Sequence, residues 1–114
     1  MPYIAVNVSE IISDAKKETI KAELGRLITI IPEKTEAVTM IDFSDSRTMY
    51  MAGKKVQGVF IDVRLWHKAD FEAKKQFSEK TFDMLEKELG LKKENMYLNI
   101  TEFNEWGSRG IYKT

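Results

Sequence analysis

The sequence predicts an α+β fold. Two β-α-β repeats form a four-stranded sheet with two helices on one face, in one domain over residues 1–114. Three observations point there. Runs of β-branched and apolar residues alternate with period two, which marks half-buried strands. Two longer segments place apolar residues at helical spacing between capping and breaking residues. The chain also resembles itself: DAKKE at 14–18 matches EAKKQ at 72–76, Pro32 matches Gly90, Lys34 and Glu36 match Lys92 and Glu94, and Val38 matches Met96, all at one constant offset. Matched breakers and strands at a shared offset indicate a duplicated unit, with repeats over about 2–52 and 59–106.

Element by element, Tyr3–Val8 reads as the first strand, with Pro2 at a position where a residue lacking an N–H is tolerated. Ser13 or Asp14 caps a helix whose apolar stripe is Ile20, Leu24, Leu27, Ile28 and Ile31, and Pro32 stops it. Val38–Phe43 is the second strand, and Met49–Ala52 a short extra one before Gly53. Val59–Trp66 is the third long strand. Asp70 caps a helix carrying Phe77, Thr81, Met84, Leu85 and Leu89 on one side, Gly90 ends it, and Met96–Phe103 is the last long strand.

Right-handed crossovers put both helices on one side of the sheet. The face beneath them is Ile4, Val6 and Val8, then Val59, Ile61, Val63 and Leu65, then Met96, Leu98 and Ile100. The opposite face mixes Tyr3, Phe60, Trp66, Tyr97 and Phe103 with Asn7, Asp62, Arg64 and Asn99. It is too aromatic for bulk water and too polar for a core, so self-association is its expected cover.

Composition narrows the function classes. With 18 basic and 18 acidic residues balanced in both halves, no global field draws the chain to nucleic acid or an anionic membrane. The absence of cysteine excludes disulfides, thiolate nucleophiles and Cys-based metal sites. His67 is the single histidine, with no partner for a metal site. No Gly-rich phosphate loop joins a strand to a helix, and no apolar run is long enough to span a bilayer. The expectation is a cytoplasmic protein without cofactor or metal, free of nucleic acid and membrane.

The segments PYIAVNV, IPEK, MYMAG, VFIDVRLWHK and MYLNITEFNEWG follow one another in an order and spacing that resemble the tautomerase superfamily, in its macrophage migration inhibitory factor and phenylpyruvate tautomerase branch. The resemblance covers nearly the whole chain. It implies a homotrimer whose sheets wrap a central barrel, with active sites between subunits. It implies cofactor-free keto–enol isomerisation of a small α-keto acid such as phenylpyruvate. By this similarity Pro2 is the catalytic base once Met1 is removed, and Lys34 faces the substrate carboxylate. Tyr97 and Asn99 come from the neighbouring subunit, and Trp66 stands where the family places an apolar residue with a backbone amide in the pocket.

That chemistry asks for such residues. Moving a proton next to a carbonyl needs a base whose pKa lies near the working pH. An apolar pocket and a nearby cation both lower the pKa of an amine. Tyr3, Trp66, Phe103 and Trp106 can supply apolar walls, Lys34 the cation, and Tyr97 with Asn99 the polarisation of the keto oxygen. The departures are Ser108 and Arg109 after Trp106-Gly107, where the family often has a second aromatic, and the charged pair Asp62 and Arg64 on a strand. Two other readings stand beside the isomerase: a non-enzymatic trimeric binding or signalling protein with a vestigial pocket, and dehalogenation or hydration of an unsaturated acid, which Asp62 and Arg64 would serve. Lys34 also reads as a solvated turn residue, since Lys92 holds the same place in the second repeat.

Overall fold

Ser13 begins the first helix by accepting a hydrogen bond from the Lys16 N–H at 3.1 Å, so the cap falls at Ser13 and Asp14 is the first helical residue. In the computed structural model, which describes residues Met1–Thr114, the chain runs β1 (Pro2–Val8), α1 (Asp14–Leu27), β2 (Met40–Ser44), β3 (Tyr50–Met51), β4 (Lys54–Lys55), β5 (Val59–Trp66), α2 (Phe71–Leu89), β6 (Met96–Phe103), β7 (Trp106–Ser108) and β8 (Ile111–Lys113). The main sheet has the order β2-β1-β5-β6. Each β-α-β unit contributes a parallel pair, and the antiparallel pairing of β1 with β5 joins the two units.

The strand faces follow the alternation of the sequence. Ile4, Val6, Val8, Ile61, Val63 and Leu65 are fully buried under the helices, together with Ile20, Leu24 and Ile28 of the first unit and Phe77 and Leu85 of the second. Asp70 caps α2 through the Ala73 N–H at 3.0 Å, and Gly90 ends it in the left-handed conformation at φ 68°.

Caps and buried helix positions of the two units correspond at an offset one residue shorter than the match between DAKKE and EAKKQ. The two caps, Ser13 and Asp70, are equivalent. So are the buried helix positions: Ile20 with Phe77, Leu24 with Thr81, Leu27 with Met84, and Ile28 with Leu85. All these pairs share an offset one shorter than the pentapeptide gives. The pentapeptides lie on largely solvated helix surface, where little constrains identity, whereas caps and core positions are held by geometry.

Three local boundaries differ from the sequence expectation. α1 stops at Leu27 and one 3-10 turn, Ile28–Ile30, follows before Ile31 becomes extended, as a residue preceding proline prefers. β2 begins at Met40 because Glu36–Val38 closes a 3-10 turn, with the Thr39 N–H bonded to the Glu36 oxygen at 3.0 Å. The short strand expected at Met49–Ala52 is Tyr50–Met51, half of a hairpin with β4.

Two hairpins were absent from the sequence reading. In β3–β4 the turn residues Ala52 and Gly53 have φ of 54° and 75°, and in β7–β8 Arg109 and Gly110 have φ of 54° and 80°. Two consecutive positive φ values are what a two-residue type I′ hairpin turn requires, and a residue followed by glycine meets that requirement at least cost. The second hairpin brings the C-terminal strand back beside the end of β5.

Candidate active site

Pro2 is buried as the first residue of β1 and pairs with Leu65, so the amino terminus emerges beside the C-terminal end of β5. Two clefts open on either side of it, and Met1 and Val38 line both. The first, about 750 Å³, is walled by Pro2, Tyr3, Arg64, Phe103, Trp106 and Tyr112. The second, about 480 Å³, holds Lys34, Trp66, His67 and Lys68. Both lie in the size range of small-molecule sites.

Lys34 is aimed by its own local sequence. Ile31-Pro32-Glu33-Lys34 forms a turn closed by the Lys34 N–H to the Ile31 oxygen at 3.1 Å, with Glu33 at φ 70°. Proline at the second position and positive φ at the third define a type II turn. The Lys34 ammonium then donates to the backbone oxygen of Trp66 at 3.3 Å. Trp66 is anchored in turn by its indole N–H, which donates to the Asn104 oxygen at 3.2 Å, and its ring lies against His67 at 4.2 Å between centroids.

The chain's terminal ammonium is destabilised in this setting. Partial burial, the Lys34 charge and hydrogen bond, and the Lys113 charge together push its pKa below the ordinary α-amino value. On the neighbouring sheet face, Tyr3 donates to Asp42 at 2.9 Å, and that bond holds its phenol above the usual pKa. The Arg64 guanidinium lies 5.6 Å from the Tyr3 ring centre and is answered by Asp62 at 3.2 Å. Asp62 and Arg64 therefore pair along one face of β5, with Arg64 also at the wall of the first cleft. No three His, Asp or Glu side chains gather into a metal-holding cluster.

Of the residues singled out in the sequence, the structure brings together Lys34 and Trp66 in the second cleft, while Pro2 lines the first. It does not bring Tyr97 or Asn99 to them within one chain. Pro2 is level with Leu65 and Glu102, whereas Asn99 is level with Asp62 and Tyr97 with Phe60. At about 3.3 Å per residue, that sets them roughly 10 and 17 Å back along β6. Tyr97 is 60% exposed, and the Asn99 amide donates only to Thr101 at 3.1 Å. Both face outward on an edge strand. Lys113, which the sequence reading passed over, is drawn in: its ammonium sits 4.9 Å from the centre of the Trp66 ring. The Arg109-Gly110 turn marks the hairpin in the sequence, but not where β8 ends.

The geometry defines a small α+β protein with a cleft around its own amino terminus. No protein-family model matches the sequence, and no curated protein matches it. Solved structures do. The chain is similar to Leishmania major MIF2, with 22% identity, a TM-score of 0.91, and coverage of 99% of this chain and 97% of that one. It is similar to Pt0534 inactivated by 2-oxo-3-pentynoate, with 14% identity, a TM-score of 0.84, and coverage of 96% and 94%. It also resembles R7, a fused 4-OT solved as an asymmetric trimer, with 14% identity, a TM-score of 0.85, and coverage of 96% and 94%. The chain has the fold seen in macrophage migration inhibitory factor structures.

Proposed function

We propose that this protein is a cofactor-free tautomerase that interconverts the keto and enol forms of small α-keto acids such as phenylpyruvate, working as a cytoplasmic homotrimer. The observation that carries the reading is the amino terminus itself. It lies between two clefts, beside the Lys34 ammonium, where its protonated form is disfavoured. Removal of Met1 leaves the secondary amine of Pro2 at this place, where the same burial and the Lys34 charge would favour its neutral form.

In this mechanism the Pro2 nitrogen takes a proton from the carbon next to the keto group. The electrons of that C–H bond move to the carbonyl oxygen as an enolate. The resulting ammonium returns the proton to oxygen, and the reverse sequence regenerates the ketone. Lys34 holds the substrate carboxylate by a charge-assisted contact. Trp66, Phe103 and Trp106 exclude water from the ring or chain of the substrate. Tyr97 and Asn99 of a neighbouring subunit donate to the oxygen as charge develops there. The exposed apolar side chains Met40, Phe60, Tyr97 and Phe103, on or beside the two open sheet edges, support an assembly that carries them to a neighbour's cleft. A solved structure of the same fold inactivated by a 2-oxo acid supports the substrate class.

Intact mass spectrometry and an enol-phenylpyruvate absorbance assay test the proposal. A mature chain lacking Met1 that accelerates decay of the enol, with the rate collapsing in Pro2→Gly, supports it. A chain that fully keeps Met1, or equal rates for wild type and Pro2→Gly, overturns it in favour of a binding protein.

A further inference from the structure

The end of β5 sets a positively charged group on either side of the level of Pro2. Pro2 pairs with Leu65, and the residues flanking Leu65 are Arg64 and Trp66, each about 3.3 Å away along the strand and both on the open face. On the Trp66 side, the Lys34 ammonium donates to the Trp66 backbone oxygen at 3.3 Å. On the other side Arg64 stands directly opposite Tyr3 and lines the first cleft together with Pro2. Its guanidinium is held from two directions. Asp62, on the same face of β5, accepts from one terminal nitrogen at 3.2 Å, and the centre of the Tyr3 ring lies 5.6 Å from the guanidinium carbon. Tyr3 is fixed in turn by its hydroxyl, which donates to Asp42 at 2.9 Å. The Asp62 bond takes one of the five guanidinium N–H donors, and Arg64 makes no other hydrogen bond. Arg109, the other arginine of this cleft, sits in the β7–β8 turn with neither a hydrogen bond nor an acid partner to hold it.

We propose that Arg64 is a further catalytic residue, which donates hydrogen bonds to the keto oxygen of the substrate as that oxygen takes up charge. The inference deepens the tautomerase reading and rests on it. An α-keto acid carries two oxygen functions side by side, a carboxylate and a ketone, and the chain offers one cation for each. With the carboxylate on Lys34, the ketone turns toward Arg64. When the Pro2 amine takes the proton from C3, that C–H bond breaks, its electron pair forms the C2–C3 double bond, and the carbonyl π pair moves onto oxygen. Arg64 gives up no proton in this step. It presents N–H donors already aimed by Asp62 and Tyr3, so little reorganisation opposes the charge as it forms. A guanidinium also stays charged across the working pH range, which an amine or imidazole does not. Within one chain Arg64 stands beside the level of Pro2, whereas Asn99 and Tyr97 lie three and five residues back along the sheet.

The test measures kcat and KM for exchange of the C3 protons of phenylpyruvate with deuterated solvent, in wild type, Arg64→Gln and Arg64→Lys, each lacking Met1. Calorimetric titration with phenylpyruvate counts the intact sites of each variant, so that a loss of fold is not read as a loss of rate. A contact made only in the transition state lowers kcat and kcat/KM equally. The expected result for Arg64→Gln is therefore a kcat lower by about 100-fold, the size of one oxyanion donor, with KM within about threefold of wild type and every site still binding. Arg64→Lys keeps the charge and should retain more of kcat than Arg64→Gln. A rise in KM at unchanged kcat overturns the proposal, because it puts Arg64 on a charge already present in the ground state. A fall in kcat matched by a fall in the number of binding sites also overturns it, by making Arg64 structural. Wild type that exchanges no C3 proton sinks the tautomerase reading itself. An active wild type with an equally active Arg64→Gln sinks the Arg64 assignment alone.

Discussion

Lys34 and Trp66 are joined by a hydrogen bond of 3.3 Å from the ammonium to the backbone oxygen, which ties the turn after α1 to the end of β5. The bond crosses from a loop to a strand rim and fixes where a positive charge meets the amino terminus. Because Lys34 is half exposed, the bond orients the charge more than it holds the fold together.

Lys34→Met should therefore separate function from stability. KM for an α-keto acid rises by about 10- to 100-fold, as expected for loss of a charge-assisted carboxylate contact. The change in unfolding free energy stays within about 0.5 kcal/mol, as for most surface substitutions. Steady-state kinetics and thermal denaturation of the same preparation check the split.

The pH profile carries a signed expectation. The Met1 amine is depressed by burial and by Lys34 and Lys113, and the Pro2 amine of a chain lacking Met1 would enter the same surroundings. A base works in its neutral form, so kcat/KM is expected to rise with pH through the pKa of the Pro2 amine and level above it. In Lys34→Met the rising limb moves to higher pH. Stability follows the same sign: the unfolded chain binds this proton more readily, so the native state gains stability as pH rises through the window between the folded and unfolded pKa values.

A shared site predicts complementation. Pro2→Gly and Tyr97→Phe each inactivate every site in a pure homotrimer. Co-refolded in equal amounts, they regain activity in roughly a quarter of sites by random assortment around a ring, where an intact Pro2 meets an intact neighbour Tyr97. The assay is the enol-decay rate before and after mixing. A mixture as inactive as its parents would place both residues in one chain's site and contradict the assembly.

Thr81 is fully buried on α2, and its hydroxyl has no hydrogen-bond partner. The equivalent position of the first unit is Leu24. Thr81→Val removes the orphaned group at nearly constant shape and should stabilise the fold by about 1 kcal/mol. Phe77→Ala, in contrast, empties a fully buried position and should cost about 3–5 kcal/mol. Urea denaturation of both variants tests the pair.

Glu102 gives an acid-side prediction. Burial opposes its charge, but the Ala69 N–H at 2.6 Å and the Lys74 ammonium at 3.0 Å outweigh burial and hold its carboxyl below the ordinary glutamate value. A depressed folded pKa contributes stability that is present above the unfolded pKa and lost as pH falls through the folded one. Glu102→Gln should be less stable than wild type at neutral pH, and the difference should shrink as the pH drops through that range.

Much of the fold was legible in the sequence because its signals are local. Asp70 and Gly90 delimit α2, and the alternation in Val59–Trp66 separates a buried from an open face, without knowledge of any distant residue. The register of the internal repeat was less legible. DAKKE and EAKKQ match by composition on helix surface, while the true equivalences run through caps and buried positions such as Ile20 and Phe77. Within the site, IPEK carries its own turn, so Lys34 could be placed from four residues. The Arg109-Gly110 turn is equally local, yet its consequence for Lys113 is not, since nothing near it in the chain says that β8 ends over Trp66.

By itself the sequence determined the two helices and the long strands, the buried face of the sheet, the placement of proline at the head of β1 and the turn that presents Lys34. These depend on backbone preferences and on apolar period, which act between neighbours along the chain. Only the tertiary structure decided that the amino terminus, Lys34, Trp66 and Lys113 meet, and that Tyr97 and Asn99 stand apart from them in the same chain. Those relations follow from strand order and register, which the packing of the whole core selects and no single segment encodes.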